Sequence, residues 1–544
     1  MYKYNTIDQA IVDARVSQFS EQMTRYLAGT LPEEQFMPLR LQNGLYIQRH
    51  APMLRVAIPY GTLAGYQLRH LAQVARQYDR GYGHFTTRQN IQFNWLALEQ
   101  VPEVLGELAT VQMHAIQTSG ACVRNTTTDP LAGTVPDEAI DPRVVCELIR
   151  QWSTFHPAFA YLPRKFKIAV VATAEDRAAI EVHDVGIRVK THAIHGLAFD
   201  LWVGGGLGRT PLLGHRLLAD LPLDELRNWL TAVLRVYNLA GRRDNKYKAR
   251  IKILVNAMGV EAFREAVTHR YLTDHDSDLK ISPETLQDLG DSFACTLQPR
   301  PIEEHRGSAE FQRWYLQNTK PHRIMGYRSV FISLKRPGTA PGDVTAQQMD
   351  VIADLADQFS QSEIRTTHDQ NLILPHFAES DLEALLEALS AHDLAHPNLG
   401  LISDSIACPG LDFCSLANAP SLSLAEALHD TFIDLDEQVD IGPLEVKISG
   451  CMNACGHHHI AHIGILGVEK KGQPWYQSTL GGRDQQGATL GKRLGPAVPH
   501  DDLLPLIKRL IDNYLLERQA GEYFPGLVDR IGVDYLKDIR YSTQ

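Results

Sequence analysis

The sequence predicts an α+β fold in which one structural pattern occurs twice. A succession of strand, helix and strand over residues 54–91 recurs over residues 330–372, at an offset of roughly half the chain. A glycine-rich pattern at residues 203–214 recurs in the same way at residues 480–491. With 44% hydrophobic residues, the 544 residues can supply three or four domains with their own cores. The chain is therefore predicted to be an internally duplicated, multidomain protein.

The elements of each repeat follow from the spacing of apolar residues. In the second repeat Met349, Ile352 and Ala356 recur with the period of a helix, which predicts a helix over residues 346–358. The corresponding helix of the first repeat is predicted over residues 66–78. The flanking segments alternate β-branched residues and end at proline or glycine, which is typical of strands.

Four of the seven cysteines form two pairs near the C-terminus, Cys408 with Cys414 and Cys451 with Cys455. Four thiolates that converge on one pocket are what a cubane iron–sulfur cluster requires, although neither pair has the C-x2-C spacing of ferredoxins. Zinc is an alternative, because the spacing of the second pair is finger-like and residues 457–459 are three histidines. Four free buried thiols are a third interpretation, which the clustering disfavours.

The C-x5-C and G-C-x3-C-G patterns of these cysteines resemble those of the sulfite and nitrite reductases that couple a 4Fe–4S cluster to siroheme. The resemblance implies a sulfite reductase hemoprotein-like fold, in which two ferredoxin-like half-repeats pair into one domain beside two larger α/β domains that hold the siroheme and the cluster. It also implies four cluster ligands, of which Cys455 is shared as the axial ligand of the siroheme iron; the set is Cys408, Cys414, Cys451 and Cys455.

On this resemblance we expect four successive parts of the chain. Residues 1–117 form an N-terminal extension with the first ferredoxin-like half-repeat, and residues 118–275 form the first siroheme-binding α/β domain. Residues 276–395 form a linker with the second half-repeat, and residues 396–544 form the second α/β domain, which carries the cluster ligands.

Two basic motifs in the first half resemble the substrate and cofactor site of the family. Residues 82–93, predicted as one alternating strand-like segment, are similar to the T-x-R-Q-x-x-Q-F signature, which implies that Arg88 faces the substrate and that Gln92 binds cofactor. Residues 119–127 resemble a G-x-x-x-R-N run, which implies a second active-site arginine and a neighbouring cofactor contact, Arg124 and Asn125.

A third motif, residues 161–168, resembles the family's L-P-R-K-F-K strand. Period-2 alternation places Lys165 and Lys167 on one face and Phe166 on the other. Lysines crowded by like charges lose protons more readily than arginines, so we expect the two lysines to donate protons to the departing oxygens. By its place before the second cysteine pair, the segment 446–448 is taken as the counterpart of residues 165–167 in the second half.

Two other segments could contact an anionic cofactor. Residues 204–208 are glycine-rich but lack the G-x-G-x-x-G frame, so we predict a tight turn beside a planar cofactor, with Arg209 available for a carboxylate. The basic run at residues 242–250 is predicted as a helix face. Three interpretations of this face are open: it is solvated, it binds siroheme carboxylates, or it docks an acidic electron carrier.

Cys122 adds a covalent alternative near the active site. Some family members join a cysteine near the siroheme to a tyrosine through a thioether, and Tyr82 is the candidate partner here. The remaining cysteines outside the cluster, Cys146 and Cys295, are predicted to be core residues.

Composition restricts the partners and the compartment. A formal net charge of -11 disfavours binding to nucleic acid. The N-terminus has no apolar signal segment and no stretch approaches 18 uninterrupted apolar residues, so we predict neither secretion nor membrane spanning. We therefore expect a cytoplasmic protein. Since no flavin or pyridine-nucleotide module is recognisable, electrons are expected from another protein, either a ferredoxin or a flavoprotein.

These expectations predict an oxidoreductase with siroheme and a 4Fe–4S cluster that reduces sulfite to sulfide with six electrons. Reduction of nitrite to ammonia on the same scaffold is the alternative, because the motifs fit either small oxyanion. Sulfite is favoured, since two lysines and two arginines suit a dianion. An alternative of another class is a zinc-stabilised binding protein without enzymatic activity.

Overall fold

A computed structural model of the chain describes residues 3–302, 307–485 and 487–539. The first part of the chain is a helical extension followed by a half-repeat of short strands and two helices. Asn5 caps the first helix, because its side chain accepts hydrogen bonds from the amides of Ile7 and Asp8. The elements are α1 (Thr6–Leu27), α2 (Glu33–Gln42), β1 (Leu45–Ile47), β2 (Pro52–Val56), β3 (Thr62–Ala64), α3 (Gly65–Tyr78), β4 (Tyr82–Phe85), β5 (Ile91–Phe93) and α4 (Val101–Thr110).

The second part is an α/β unit with one mixed sheet. Its strands run in the order β10-β9-β8-β7-β6, parallel between β6, β7 and β8 and antiparallel from β8 to β10. The elements are β6 (Thr127–Thr128), α5 (Pro142–Ser153), β7 (Ile168–Val171), β8 (Val185–His192), β9 (Gly196–Val203), β10 (His215–Pro222), α6 (Leu226–Ala240), α7 (Ile251–Met258), α8 (Val260–Asp274) and α9 (Pro283–Phe293).

The third part repeats the half-repeat. A capping box at Thr345 begins its long helix, with the side chain of Gln348 bonded back to the cap. The elements are α10 (Ala309–Asn318), β11 (Thr319–Pro321), β12 (Tyr327–Ile332), β13 (Asp343–Thr345), α11 (Ala346–Phe359), β14 (Glu363–Thr366), β15 (Leu372–Ala378) and α12 (Leu382–Ser390). The helices predicted over residues 66–78 and 346–358 are thus confirmed within one residue at each end.

The fourth part repeats the α/β unit, again with a mixed sheet whose order is β16-β17-β18-β19-β20 and with β21 paired to β19. The elements are β16 (Ile406–Ala407), α13 (Gly410–Phe413), α14 (Leu422–Thr431), α15 (Leu435–Ile441), β17 (Val446–Ser449), β18 (Ile463–Lys470), β19 (Gln473–Leu480), β20 (Lys492–Arg493), β21 (Val498–Pro499), α16 (His500–Glu517) and α17 (Phe524–Ile539).

The two half-repeats form one domain because each lends an edge strand to the other. Strand β13 pairs with β4, with Val344 opposite Gly83, and strand β3 pairs with β14, with Leu63 opposite Ile364. Each exchange completes a five-stranded sheet and covers an edge that would otherwise expose unpaired amides. The α+β prediction of two paired half-repeats is confirmed.

The cores follow the same organisation. One apolar cluster joins both half-repeats, from Phe19 to Leu394, and includes the facing helices α3 and α11. Two further clusters lie one in each α/β unit, centred on the sheets that contain β7 and β17. In the part of the chain that the structure describes, none of the helices combines the length and the apolar character needed to cross a bilayer.

The register of the two α/β sheets corrects the predicted correspondence between the halves. The carbonyl of Lys167 accepts from Val185 N–H at 3.1 Å, and the carbonyl of Glu445 accepts from Ile463 N–H at 3.0 Å. Since β8 begins at Val185 and β18 begins at Ile463, Lys167 corresponds to Glu445. The assignment of residues 446–448 as the counterpart of residues 165–167 was wrong, because it matched side-chain character instead of strand register.

Two local predictions were also wrong. Residues 82–93 are not one strand but β4 and β5 joined by a turn, in which Gln89 adopts a left-handed conformation with φ 54°. The basic run 242–250 is an irregular segment that precedes α7 instead of a helix, because the chain leaves α6 at Gly241 in an extended conformation.

Candidate active site

A cavity of about 700 Å³ lies where the first half-repeat, the first α/β unit and the cysteine loops meet. It collects side chains that are far apart in the chain, and the sequence-predicted residues among them are Arg88, Gln92, Arg124, Asn125, Lys165, Lys167, Cys408 and Cys455. Four predicted cations, two predicted amide side chains and two predicted metal ligands therefore share one space. The remaining predicted site residues, Cys414, Cys451 and Arg209, are not among those that line this cavity.

Arg88 enters this cavity from the turn between β4 and β5. Its Nη1 donates to the hydroxyl of Thr127 at 3.1 Å and lies 2.6 Å from Nε2 of His183, while its Nη2 donates to the carbonyl of Asn125 at 2.6 Å. Burial, followed by the neighbouring Arg124 guanidinium, lowers the pKa of Arg88 to about 9. A guanidinium held in this way has little rotational freedom left to lose on binding an anion.

Arg124 is anchored through backbone carbonyls. Its Nε and Nη2 donate to the carbonyl of Gly120 at 3.1 and 2.8 Å, and its Nη1 donates to the carbonyl of Thr118 at 2.8 Å. The chain between Gly120 and Arg124 is closed into a compact loop by these bonds. Arg124 therefore contributes a fixed positive charge to the wall of the cavity, with part of its donor capacity already used.

Lys165 and Lys167 reach the cavity from the extended segment before β7. Phe166 lies between them and is fully buried in the core of the α/β unit, so the predicted alternation is present. Burial, together with the guanidiniums of Arg124 and Arg250, lowers the pKa of Lys165 to about 7. Burial and the charges of Arg88 and Lys165 hold the pKa of Lys167 well below its usual value. The Lys165 ammonium can thus release a proton near neutral pH, and the Lys167 ammonium releases its proton more readily than an exposed lysine does.

The cysteine loops converge at the carboxyl ends of two parallel strands. Cys408 directly follows β16, and Cys451 lies two residues beyond the end of β17. Glycines allow the loops to approach: a Cβ on Gly450 would lie 2.7 Å from the Cα of Gly410. Cys414 ends the short helix α13, and Cys455 is the exposed member of the set, facing the cavity.

The chemistry of the four thiols fits a cluster. Burial, followed by the charge of a Cys455 thiolate, raises the pKa of Cys408 to about 12, and burial also raises the pKa values of Cys414 and Cys451. Thiolates in this environment require a metal to stay deprotonated. Gly450 donates its amide N–H to the sulfur of Cys408 at 3.2 Å, which is the kind of bond that tunes a cluster's potential.

The cavity also fits an anionic cofactor. Nε of Arg55 is buried in its wall and has no acceptor among the described residues, although Nη2 of the same side chain donates to Gln92 at 3.1 Å. An orphaned buried donor costs free energy unless a ligand accepts from it. A tetrapyrrole with carboxylate groups, or an oxyanion, would supply such acceptors.

The corresponding cavity in the other half has acidic side chains at two positions where this one has basic side chains. It has a volume of about 770 Å³, and carboxyl groups replace two of the cations: Asp369 stands at the position of Arg88 and Glu445 at that of Lys167. Burial, then the neighbouring Asp484, raises the pKa of Glu445 to about 8. One half can therefore hold anions, whereas the other is unsuited to them.

Arg209 does not join the anion cavity. It lines a separate cavity of about 1150 Å³ with Arg242, Lys248 and Arg250, all from or next to the basic run. The glycine-rich loop before it lies against the cysteine loops: a Cβ on Gly208 would be 3.7 Å from the carbonyl of Met452, and His459 lies 3.1 Å from the Gly208 carbonyl.

Sequence reasoning missed several lining residues, among them Arg55, His84 and Gln117, and the supporting His183. Arg55 carried a weak signal, because it alternates with Leu54 and Val56 on β2 and therefore faces away from their core. His183 carried none, since it lies in an irregular segment 95 residues from the arginine that it contacts.

A second group of metal-ligating side chains lies elsewhere, and it corrects the prediction that Cys295 is a core residue. Cys295 is half-buried, 3.9 Å from Nδ1 of His376, and that atom lies 3.2 Å from Nε2 of His322. The amide of Ile324 donates to Nδ1 of His322 at 2.9 Å. The neutral ring therefore carries its proton on Nε2 and donates it to His376, so a hydrogen bond accounts for the close approach.

The predicted partners of a thioether have other contacts. The thiol of Cys122 donates to the carbonyl of Ser119 at 3.2 Å, and the hydroxyl of Tyr82 accepts from the indole N–H of Trp95 at 2.8 Å. The thioether stays a prediction, which intact mass would test.

Comparison with family models places both repeats in one family. The model described as the nitrite and sulphite reductase 4Fe-4S domain matches residues 119–275 and 402–539. The model described as the nitrite/sulfite reductase ferredoxin-like half domain matches residues 46–111 and 333–392. Each model therefore matches twice, as the duplication requires.

Individual relatives of the chain are sulfite and nitrite reductases, in agreement with the family models. The chain is 30% identical over 484 residues, 87% of this chain and 81% of the relative, to sulfite reductase (ferredoxin) 1 of Mycolicibacterium paratuberculosis. It is 31% identical to sulfite reductase (ferredoxin) of Mycobacterium tuberculosis, over 89% of this chain and 83% of that protein. It is 28% identical to the chloroplastic ferredoxin–nitrite reductase of Arabidopsis thaliana, over 84% of this chain and 75% of that protein.

A solved structure extends the similarity to three dimensions. The structure of the Mycobacterium tuberculosis NirA protein aligns with a TM-score of 0.77 at 28% sequence identity. The alignment covers 93% of this chain and 92% of that one. The order and packing of the repeated units are therefore shared over nearly the whole length.

Proposed function

This chain belongs to the nitrite and sulfite reductase family, and from that premise we propose that its reaction is the six-electron reduction of sulfite to sulfide. The enzyme class and its cofactors, siroheme and a 4Fe–4S cluster, follow from membership of the family. When bound, these groups would supply an iron for the central atom of the substrate and a route by which electrons from the donor protein reach it.

We propose that Arg88, Arg124, Lys165 and Lys167 bind the substrate oxygens. The observation that carries this proposal is that all four cations line one cavity together with Cys455. Cations in a poorly hydrated cavity attract a small oxyanion and stabilise negative charge that accumulates on its oxygens during reduction. The two lysines, with their lowered pKa values, are the proton donors, and Arg55 adds a fifth positive charge that favours the dianion sulfite.

The chain also offers groups for the cofactors. We propose that Cys408, Cys414, Cys451 and Cys455 ligate the cluster and that Cys455 is shared with the siroheme iron. Gln92 and Asn125, which line the cavity beside the cations, would contact the siroheme. Arg209 lies outside this cavity, so its proposed role is to bind a carboxylate at the opening of the neighbouring basic cavity.

Nitrite is the second candidate substrate, because relatives at 28% identity are named as nitrite reductases. Ferredoxin is the proposed electron donor, since both the sulfite and the nitrite relatives are named for it, and a flavoprotein is the alternative. The test is a comparison of kcat/KM for sulfite and nitrite, with a reduced ferredoxin and with a reduced dye as donors. Sulfite should give the higher kcat/KM; a clear preference for nitrite would reassign the substrate.

A further inference from the structure

Arg88 is held by three acceptors that leave part of its guanidinium unused. Thr127 and His183 face Nη1, and the carbonyl of Asn125 accepts from Nη2. A guanidinium has five N–H donors, and these three contacts use three of them. The Nε–H and the second Nη2–H have no acceptor among the described residues. These two groups remain for a ligand in the cavity that Arg88 lines.

The contact with His183 requires one particular tautomer. Nδ1 of His183 lies 2.7 Å from the carbonyl of Ala179, and a carbonyl can only accept, so Nδ1 carries the proton. Nε2 is then a lone-pair acceptor, which suits the Arg88 N–H at 2.6 Å. Burial, followed by the charges of Arg88 and Lys167, holds the pKa of His183 well below its usual value, so the ring stays neutral.

The carbonyl that sets this tautomer comes from a strained residue. Ala179 adopts φ 50° and ψ 52°, a left-handed conformation that is unfavourable for alanine. Residues kept in such conformations are held by their surroundings and are concentrated at functional sites. Here the conformation aims the Ala179 carbonyl at Nδ1 of the buried His183.

The internal duplication provides a comparison within the same molecule. Thr86 and Thr367 each donate an amide to an asparagine carbonyl, of Asn90 and Asn371, which aligns Arg88 with Asp369. A Cβ on Gly205 would meet the carbonyl of His183, and one on Gly482 would meet that of Ala461. His183 therefore corresponds to Ala461.

The second half thus lacks both members of the contact. Where the first half has Arg88 and His183, the second has Asp369 and Ala461. The left-handed residue itself is present in both halves, as Ala179 and as His457 with φ 59°. The left-handed backbone conformation therefore occurs in both halves, whereas the histidine occurs in the half that has an arginine for it to contact.

We propose that His183 is a positioning residue, which fixes the Arg88 guanidinium so that its two unused N–H groups face an anion. The anion is a substrate oxygen or a siroheme carboxylate, since either accepts from a guanidinium in the same way. This inference rests on the proposed function for the identity of the anion. The coupling between His183 and Arg88 does not depend on the proposed function, because it can be measured independently.

A double-mutant cycle tests the coupling. The four proteins are the wild type, His183→Leu, Arg88→Met and the variant with both changes, and His183→Gln is the conservative replacement because its amide oxygen can accept in place of Nε2. Each purified holoenzyme is assayed for KM and kcat with sulfite and nitrite, for siroheme per chain, and for thermal unfolding temperature. A misplaced binding group can cost about a hundredfold in rate, so we expect His183→Leu to lower kcat/KM roughly ten- to a hundredfold.

In the Arg88→Met background the same change should cost less than about threefold, since the group that His183 positions is gone. His183→Gln should retain kcat/KM within about threefold of the wild type. Coupling in KM with full siroheme content identifies the anion as substrate, and coupling in siroheme content identifies it as a cofactor carboxylate. Equal losses with and without Arg88, or no loss in either background, would overturn the proposal.

The outcome for the proposed function is read separately from the wild type. If the wild-type protein reduces neither anion, the proposed function fails, while siroheme content across the four proteins still measures the coupling. If the wild type is active and the effects are additive in every readout, the positioning role fails and the proposed function stands.

Discussion

Lys167 and Glu445 occupy equivalent positions in the two halves of the chain, where one half has a basic side chain and the other an acidic one. The carbonyl of each accepts from the first amide of the following strand, at 3.1 and 3.0 Å, so the backbones superimpose in register. The same inversion occurs at Arg88 and Asp369. Duplication therefore produced two similar cavities, of which only one has the charge to hold an anion.

The first prediction tests this charge inversion. Lys167→Glu, which gives the anion cavity the residue of its counterpart, should lower kcat/KM for sulfite by more than about a hundredfold, because a like charge repels the substrate. Lys167→Gln should cost less, since it removes attraction without adding repulsion. Steady-state kinetics with a reduced dye measures both.

The matched control for that experiment is Glu445→Gln, at the equivalent position of the other half. It should leave kcat/KM within about threefold of the wild type, because that cavity is not expected to bind substrate. A comparable loss from Glu445→Gln and from Lys167→Glu would show that charge in the first cavity is not the cause.

The second prediction concerns pH. With the pKa of Lys165 lowered to about 7, its ammonium form is present below that pH and is lost as pH rises through it. The ammonium form attracts the anion and donates the proton, so kcat/KM for nitrite should fall between about pH 7 and pH 9. Nitrite is the appropriate probe because its own charge is constant there.

Lys165→Arg keeps the positive charge to higher pH, because a guanidinium holds its proton more strongly than an ammonium in the same surroundings. Its fall in kcat/KM should therefore move to higher pH, even where its maximal activity is lower. Superimposable pH profiles for the variant and the wild type would assign the titration to another group.

The third prediction concerns the metal ligands. Cys414→Ser should yield protein with most of its iron and acid-labile sulfide lost, because a cubane cluster needs four thiolates. Cys295→Ser, which alters a half-buried cysteine outside the set, should retain both in full. Iron and sulfide analysis of the two purified variants is the measurement, and equal iron content in both would remove Cys414 from the ligand set.

The fourth prediction concerns the joint between the halves. Arg143 and Glu363 form a buried ion pair at 2.7 Å across that joint. Glu363→Gln removes the carboxylate that Arg143 and Arg365 share, although Arg143 keeps Asp141, and should cost about 3 kcal/mol of unfolding free energy, as for other broken buried pairs. Urea denaturation measures this cost.

An exposed ion pair across the same joint serves as control. Arg69 and Asp354 lie 2.8 Å apart on the facing helices α3 and α11, with 38% and 70% of their side chains exposed. Asp354→Asn should change the unfolding free energy by less than about 1 kcal/mol. If the two variants were destabilised equally, the buried pair would have no special role in joining the halves.

The fold could be predicted from the sequence to the extent that it is local. Helices α3 and α11 were predicted from the apolar period and from their place in the repeat, and the duplication was visible as repeated patterns. The exchange of β3 and β13 was not predictable, because pairing between Leu63 and Ile364 spans most of the chain and has no local signal. The domain boundaries proposed from the resemblance stay predictions.

The site was predicted from sequence motifs, which do not specify how the strands of the two halves align. They singled out Arg88 and Lys165, which line one cavity, yet they matched Lys167 to the wrong residue of the second half. The turn at Gln89 and the strain at Ala179 are backbone features that residue types alone do not predict. Arg55 and His183 were missed for the same reason: their importance lies in what the fold places beside them.

The decisive measurement is the visible absorption spectrum of the purified, reduced protein during titration with sulfite and with nitrite. We expect siroheme absorption that changes as the anion binds, with saturation at a lower concentration of sulfite than of nitrite. A colourless protein that contains zinc in place of iron would contradict it.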